Sequence, residues 1–314
     1  ADVAGGRRHN LFIWEPDNGM QDLGLPGVGD IDINNAGQIA GTISDPNGKS
    51  QAFFWDPEDG MQLLGTLDGG ESNAYALNNK GQVVGYSGPD RDRAQAFIWD
   101  KTNGMRSLTQ DKRHYGRAIA INDSGQVLGD LQTDGRPGWS MCYWDSTALP
   151  ATPVIPEMSP EENPLRGVGL YNNGYVLATT RRRRNGMRWL CLWHKDDGIK
   201  WLFPFAHFPG PVAFNDANQF LYSSYSEDRT GPLRRLKSKY FPPYGAHYIW
   251  DPKRGKIELN KQVPREMGKL VHVRDINNRG CIVGSIVVGN SGQLLGSGQV
   301  LGVLLEPIPE RWDK

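Results

Sequence analysis

Four consecutive arginines, Arg181, Arg182, Arg183 and Arg184, and a second basic stretch carrying Arg229, Arg234, Arg235, Lys237 and Lys239 hold the densest charge in the sequence. Guanidinium forks and ammonium point charges gathered in this way suit capture of carboxylates, sulfates or phosphates on an acidic partner. A plain solvated loop has the same composition, and that reading stands beside the first. His114, Arg117, Arg166, His207 and His272 are scattered around these stretches. If folding gathered them over one cleft, they would suit a carbohydrate or small-anion ligand, or acid–base work within hydrogen-bond reach of one substrate.

No catalytic residue is assigned beyond that, because the chain has no G-x-S-x-G elbow, no H-E-x-x-H and no P-loop. No cofactor is expected. Cys142, Cys191 and Cys281 form no CxxC or Cys/His cluster with zinc spacing, so no metal site is expected either. Cys142 and Cys191 stand two residues before a Trp in successive repeats. That places them about 10 Å apart on neighbouring sheets, whereas a disulfide needs Cα atoms within about 7 Å. Buried free thiols acting as small hydrophobes are the expectation.

The elements that must position these residues come from one phrase repeated along the chain. Its first part recurs as INNAGQIAG (Asn34), LNNKGQVVG (Asn78), INDSGQVLG (Asn122), YNNGYVLA (Asn172), FNDANQFLY (Asn215) and INNRGCIVG (Asn277), at successive spacings of 44, 44, 50, 43 and 62. A second part ends at Trp14, Trp55, Trp99, Trp144, Trp193 and Trp250, and a third begins with Gly-Met or its relatives at Gly19, Gly60, Gly104, Gly198 and Gly255. Each unit thus holds four short runs: A into the Asn, B as in VVG, C into the Trp, and D after the Gly. They are rich in β-branched and aromatic residues and too short for a helical period, so all four read as strands. The Asn-Asn-x-Gly link suits a tight hairpin, because Asn bonds nearby backbone and Gly takes positive φ. Four antiparallel strands every forty to forty-five residues predict an all-β fold, a β-propeller of six four-stranded blades. The rival count is seven blades with an incomplete first blade.

The phrase A-x-x-I-N-x-x-G-Q-V-V-G, followed by A-F-L-W and G-M-x-x-L-G-T-L, resembles the HAF repeats of bacterial extracellular proteins. The likeness is closest in Ala74 to Gly85 with Ala96 to Trp99, and in Gly60 to Leu67. It covers nearly the whole chain and weakens where Tyr171 and Phe214 stand in place of Ile. It implies a propeller-like fold and export to a secreted or periplasmic location. It brings no catalytic motif.

Composition agrees. In 314 residues there are 39 Gly, 21 Pro and 10 Trp, as many turns between packed strands require, and Lys plus Arg equals Asp plus Glu at 35 each. That balance argues against general nucleic-acid or membrane affinity, and no apolar run is long enough for a transmembrane segment. No signal peptide is read, and Ala1 is compatible with a mature chain that follows a small-residue cleavage site. Residues 1–314 are expected to form one propeller domain, closed by the N-terminal D strand lying beside the C-terminal A, B and C strands, with 1–14 surplus. Val3 to Gly5 read as a worn B strand.

Irregular segments are where function is sought. Ala148 to Arg166 is Pro-rich and acidic in place of a D strand, the four arginines sit between B and C, and Ser223 to Tyr248 expands the same link in the next unit. In such a unit the B–C and D–A connections leave one edge of the sheet, so the two basic insertions share a face. The repeated Trp is expected in the packing between blades. The expected function is a non-catalytic binding or assembly module engaging a protein or acidic polymer through that face. An enzyme, hydrolase or lyase, at the channel mouth and a purely structural subunit marked by an apolar patch remain alternatives.

Overall fold

The computed structural model describes residues 10–15, 19–26, 31–89, 93–109, 115–132, 139–145, 153–159, 162–205, 211–224, 246–263, 269–277, 280–288 and 299–305. The chain divides into two compact units, Ala1–Arg184 with Cys191–Trp201, and Asn185–Leu190 with Leu202–Lys314. Among the described residues there are twenty-four strands and no α-helix.

The strands fall into successive antiparallel sheets in chain order. An opening hairpin pairs β1 (Asn10–Glu15) with β2 (Gly19–Pro26). The first four-stranded sheet is β3 (Ile31–Ile33), β4 (Ile39–Ser44), β5 (Ser50–Asp56) and β6 (Gly60–Leu63). The second is β7 (Glu71–Leu77), β8 (Val83–Gly88), β9 (Gln95–Asp100) and β10 (Gly104–Ser107). A three-stranded sheet follows, β11 (Tyr115–Ile121), β12 (Gln126–Gln132) and β13 (Ser140–Asp145). Next come β14 (Arg166–Leu170), β15 (Val176–Arg181), β16 (Arg188–His194) and β17 (Gly198–Phe205). The last sheets are β18 (Pro211–Phe214), β19 (Phe220–Ser224), β20 (Ala246–Asp251) and β21 (Gly255–Glu258), then β22 (Lys269–Ile276), β23 (Ile282–Val288) and β24 (Gln299–Leu305). Every four-stranded sheet reads A-B-C-D, as the repeat predicts.

Two irregular places are informative. After β13 the Pro-rich segment keeps one residue of a D strand, Val154, which exchanges backbone hydrogen bonds with Tyr143 at 2.9 and 2.7 Å. Proline cannot donate to a ladder, and among the described residues of this segment the pairing with β13 goes no further than Val154. At the N-terminus, Trp14 stands opposite Met20. The LFIW run that a six-blade count leaves surplus is therefore a paired strand. Val3 to Gly5 lie outside the described residues.

The A–B turns show what the repeated Asn does. Gly37, Gly81 and Gly125 take φ of +74°, +72° and +82°, the left-handed region that glycine enters without cost to a Cβ. Asn78 Nδ2 donates to Gln82 Oε1 at 2.8 Å and to the Asn122 carbonyl at 3.0 Å, one repeat away. Asn34 does the same to Asn78, and Asn122 to Tyr171. In the second unit Asn215 donates to the Asn277 carbonyl at 2.9 Å. The turn is thus a clasp between sheets as well as a hairpin.

This geometry corrects one alignment. Tyr171, not Asn172, fills the first-Asn position in the fourth copy, since Gly174 closes that turn onto the Tyr171 carbonyl and Asn122 reaches that carbonyl across 49 residues. Leu170 accordingly holds the Ile place. The glycine that must turn left-handed, rather than the Asn pair, fixes the frame. In the fifth copy Asn218 takes that place at φ 58°.

Apolar side chains from facing sheets make the cores. Ala40, Ala52, Phe54 and Leu64 of the first four-stranded sheet pack with Ala74, Leu77, Val83, Phe97 and Trp99 of the second. Trp144 joins the next core and Trp193 the one after. In the second unit Leu221 and Ile249 pack with Val273, Ile276 and Ile282. Truncating a fully buried Trp such as Trp144 is expected to cost about 3–5 kcal/mol. Cys142, Cys191 and Cys281 are buried free thiols, and burial pushes the Cys191 thiol up to about 12.

Candidate anion-binding edge

The glycine of the B phrase sets up the site. A Cβ on Gly85 would stand 1.8 Å from the Asn73 carbonyl oxygen, and one on Gly129 would stand 2.1 Å from that of Arg117. Only glycine lets strands A and B approach so closely, and the A strand is irregular just beyond, between Ala74 and Ala76 and between Ala118 and Ala120. The residue at the point of closest approach is therefore held in a fixed place. In β7 and β11 that residue is Asn73 and Arg117; Arg166 holds the matching place in β14, where Ala178 replaces the glycine, and each of the three stands five positions before the turn residue Asn78, Asn122 or Tyr171.

Around Arg117 the chemistry is dense. Arg117 and Asp130 are directly paired across β11 and β12, with Nη2 of the guanidinium 3.4 Å from the carboxylate. Both side chains are largely buried. The guanidinium carbon lies 4.5 Å from the centroid of the Trp139 ring, a stacking that holds the fork flat. Arg117 Nε and Asn73 Nδ2 are buried with no hydrogen-bond partner. Burial raises the pKa of Asp130, opposed by the charges of Arg117 and Arg166.

Arg166 opens β14 opposite Thr179, near the end of β15, so the start of A and the end of B share one edge of this sheet. That edge carries the arginine run. Glu162 and Arg182 form an isolated β-bridge, with the Arg182 Nε 3.9 Å from the Glu162 carboxylate. Asn163 donates to the Arg181 carbonyl through its backbone N–H at 3.1 Å and its side chain at 3.0 Å, and Thr180 Oγ1 donates to the Asn163 carbonyl at 2.6 Å. The D–A segment thereby clamps the base of the B–C link. Arg181, Arg183 and Arg184 are exposed, and Arg183 and Arg184 have no ion-pair partner among the described residues. Among the described residues six arginines stand here with two carboxylates, Asp130 and Glu162, which makes the local field positive although the chain is neutral.

The structure thus brings together Arg117 and Arg166, and places Arg166 at the same edge as Arg181 to Arg184. Arg229, Arg234, Arg235, Lys237, Lys239, His114 and His207 lie outside the described residues. His272 stands in β22 opposite Ser285, in the same column of the repeat as Arg117. Sequence reasoning missed Asn73, Asp130 and Trp139. The signal for Asn73 was present: it immediately precedes the Ala of the A phrase, as Arg117 does. Among the described residues no group of three or more His, Cys, Asp or Glu side chains could hold a metal.

No family model matches the chain, and no curated protein matches it. Solved structures do. The oligogalacturonate lyase of Vibrio parahaemolyticus aligns with a TM-score of 0.62 at 10% identity, over 96% of this chain and 84% of that one. The β-propeller domain of the trilobed protease from Pyrococcus furiosus aligns at 0.55 and 12% identity, over 89% and 84%. TolB from Acinetobacter baumannii aligns at 0.48 and 11% identity, over 79% of this chain and 59% of TolB. On the first two likenesses the chain has an all-β, β-propeller fold, and a fold by itself fixes no activity.

Proposed function

We propose that the chain is a non-catalytic binding module of a secreted or periplasmic protein, and that its basic edge engages a partner protein or an acidic polymer. The observation that carries this reading is the clamp of Glu162 and Asn163 on Arg181 and Arg182, which presents Arg183 and Arg184 to solvent from a fixed base. A merely solvated arginine loop has no need of such a base. Among the described residues no helix is long and apolar enough to cross a membrane.

The test uses poly-L-glutamate and heparin as probes, with affinity followed by biolayer interferometry between 50 and 200 mM salt. Wild-type protein binds at least one of them, and affinity falls as salt screens the edge. Replacing Arg181 to Arg184 by Ser lowers affinity at least tenfold and flattens the salt dependence. Unchanged affinity in that variant, or no binding of either polymer by the wild type, removes the reading.

A second reading, a subunit that assembles through an apolar face, is favoured by the first four-stranded sheet. Ile33 is 55% exposed, while Leu77, Ile121 and Leu170 at the same repeat position are 6%, 9% and 6% exposed. Ile31, Met61 and Leu63 on the same face are exposed as well. Among the described residues Leu11 and Leu23 of the opening hairpin pack on this sheet at Ile39 and Phe53, with Ile43 and Trp55 beside them. Sedimentation velocity decides it: association that disappears in Ile31→Ser/Ile33→Ser supports assembly, and a monomer at every concentration excludes self-assembly.

A further inference from the structure

We propose that Asn73, Arg117 and Arg166 form a donor-lined site that takes the single carboxylate of a small ligand or of one residue in an acidic partner. This deepens the reading above and rests on it for the acidic character of what binds.

Three neighbouring A strands place nitrogen donors in one column of the repeat, and two of these groups, Asn73 Nδ2 and Arg117 Nε, are buried without a partner. Buried donors are ordinarily satisfied, and leaving one unpaired costs on the order of 1–3 kcal/mol. Two such orphans on neighbouring A strands, with Arg166 making no ion pair among the described residues, point to an acceptor supplied from outside. The intramolecular alternative is weak, because Asp130 meets Arg117 through one long contact of 3.4 Å and leaves most of the fork unused. Trp139 fixes the plane of that fork, and a planar fork matches a planar carboxylate through two parallel N–H···O bonds.

Charge selects among anions. Arg117 and Arg166 against Asp130 leave a net charge of one, which a monoanion neutralises and a phosphate dianion overshoots beside a carboxylate that burial already disfavours. Asp130 is thus a positioning residue that competes weakly with the ligand for Arg117.

Two carboxylate sources are distinguished by ligand-observed NMR with paired probes. D-glucuronate is set against D-glucose for an acidic sugar, and N-acetyl-aspartate amide against N-acetyl-asparagine amide for an acidic peptide. At least one carboxylate probe binds the wild type with a Kd of roughly millimolar, and its neutral twin binds at least tenfold more weakly. Arg117→Lys, which keeps the charge and loses the fork, weakens the carboxylate probe at least tenfold. The exposed Arg166→Ala weakens it severalfold and serves if the first variant fails to fold. Asp130→Asn tightens binding severalfold, an effect that a merely structural role for Asp130 would not give.

The Ser replacements at Arg181 to Arg184 leave the small probes bound while polymer affinity falls. If those replacements abolish polymer binding but Arg117→Lys and Arg166→Ala leave the small probes unaffected, this inference fails and the basic-edge reading survives. Equal binding of a carboxylate and its neutral twin in both pairs overturns it outright.

Discussion

The two ends of the same strands use polar side chains in opposite ways. At the A–B turns the repeated Asn34, Asn78 and Asn122 side chains are satisfied within the protein. Asn78 Nδ2 donates to Gln82 and Asn122, and its side-chain Oδ1 accepts from the N–H groups of Lys80 and Gln82. Gln38 likewise hands on from Asn34 to Asp56. At the other end, Asn73 and Arg117 hold orphan donors and Arg183 and Arg184 have no ion-pair partner among the described residues. A closed network of polar groups stabilises and specifies the stacking of sheets; an open one leaves capacity for a ligand. The difference separates structural from functional repeats better than residue type does, since Asn serves at both ends.

The comparison is broken most directly at the closed end. Asn78→Ala removes four hydrogen bonds from a buried site: the N–H groups of Lys80 and Gln82 lose their side-chain acceptor, Gln82 Oε1 loses a donor, and the Asn122 carbonyl keeps only the Gly125 N–H. The expected loss is about 3 kcal/mol in urea unfolding, with small-ligand affinity unchanged. Asn79→Ala, at the exposed neighbour, loses under about 1 kcal/mol. Equal losses at the two positions would mean that the exposed bonds of the Asn79 side chain to Asn35 and Asp123 hold neighbouring repeats as strongly as the buried Asn78 clasp does.

A second expectation concerns acid. The N–H of Glu58 and the amide of Gln38 hold the Asp56 carboxyl down at about 2, below its ordinary 3.8. A carboxylate with a depressed folded value stabilises the fold fully above its unfolded value and loses that contribution as pH falls through the folded one. Stability should therefore decline between about pH 4 and pH 2, by about 2 kcal/mol from this group. Asp56→Asn should flatten that part of the curve in thermal melts followed by circular dichroism. An unaltered acid limb in the variant would assign the loss to other carboxylates.

Strand boundaries and sheet order were legible because each copy repeats an apolar run, a left-turning glycine and a closing Trp, and these local rules agree with one another. The buried places of Trp99, Trp144 and Trp193 followed from their fixed position in the phrase. The frame slipped by one at Tyr171, where doubled asparagines hid the glycine that governs the turn. The clasp from Asn78 to the Asn122 carbonyl was not legible, since it joins residues 44 apart whose separation in space no pattern states. For the site, Arg117 and Arg166 stood out by charge. Asn73 looked like an ordinary strand residue, and Asp130 acquires meaning only through the register that sets it opposite Arg117.

The smallest expected effect on stability lies at the open end. Arg183→Ser with Arg184→Ser removes two exposed cations that make no ion pair with a described residue, so unfolding free energy should change by less than about 0.5 kcal/mol. Arg182→Ser differs, because its guanidinium stands beside Glu162 at the base of the clamp. Even there a half-exposed pair contributes only about 0–1 kcal/mol. If the outer pair of arginines proved to stabilise the fold as much as Asn78 does, the open end would be a second structural network. Its cations would then already have partners, and nothing would be left over for an acidic ligand to meet.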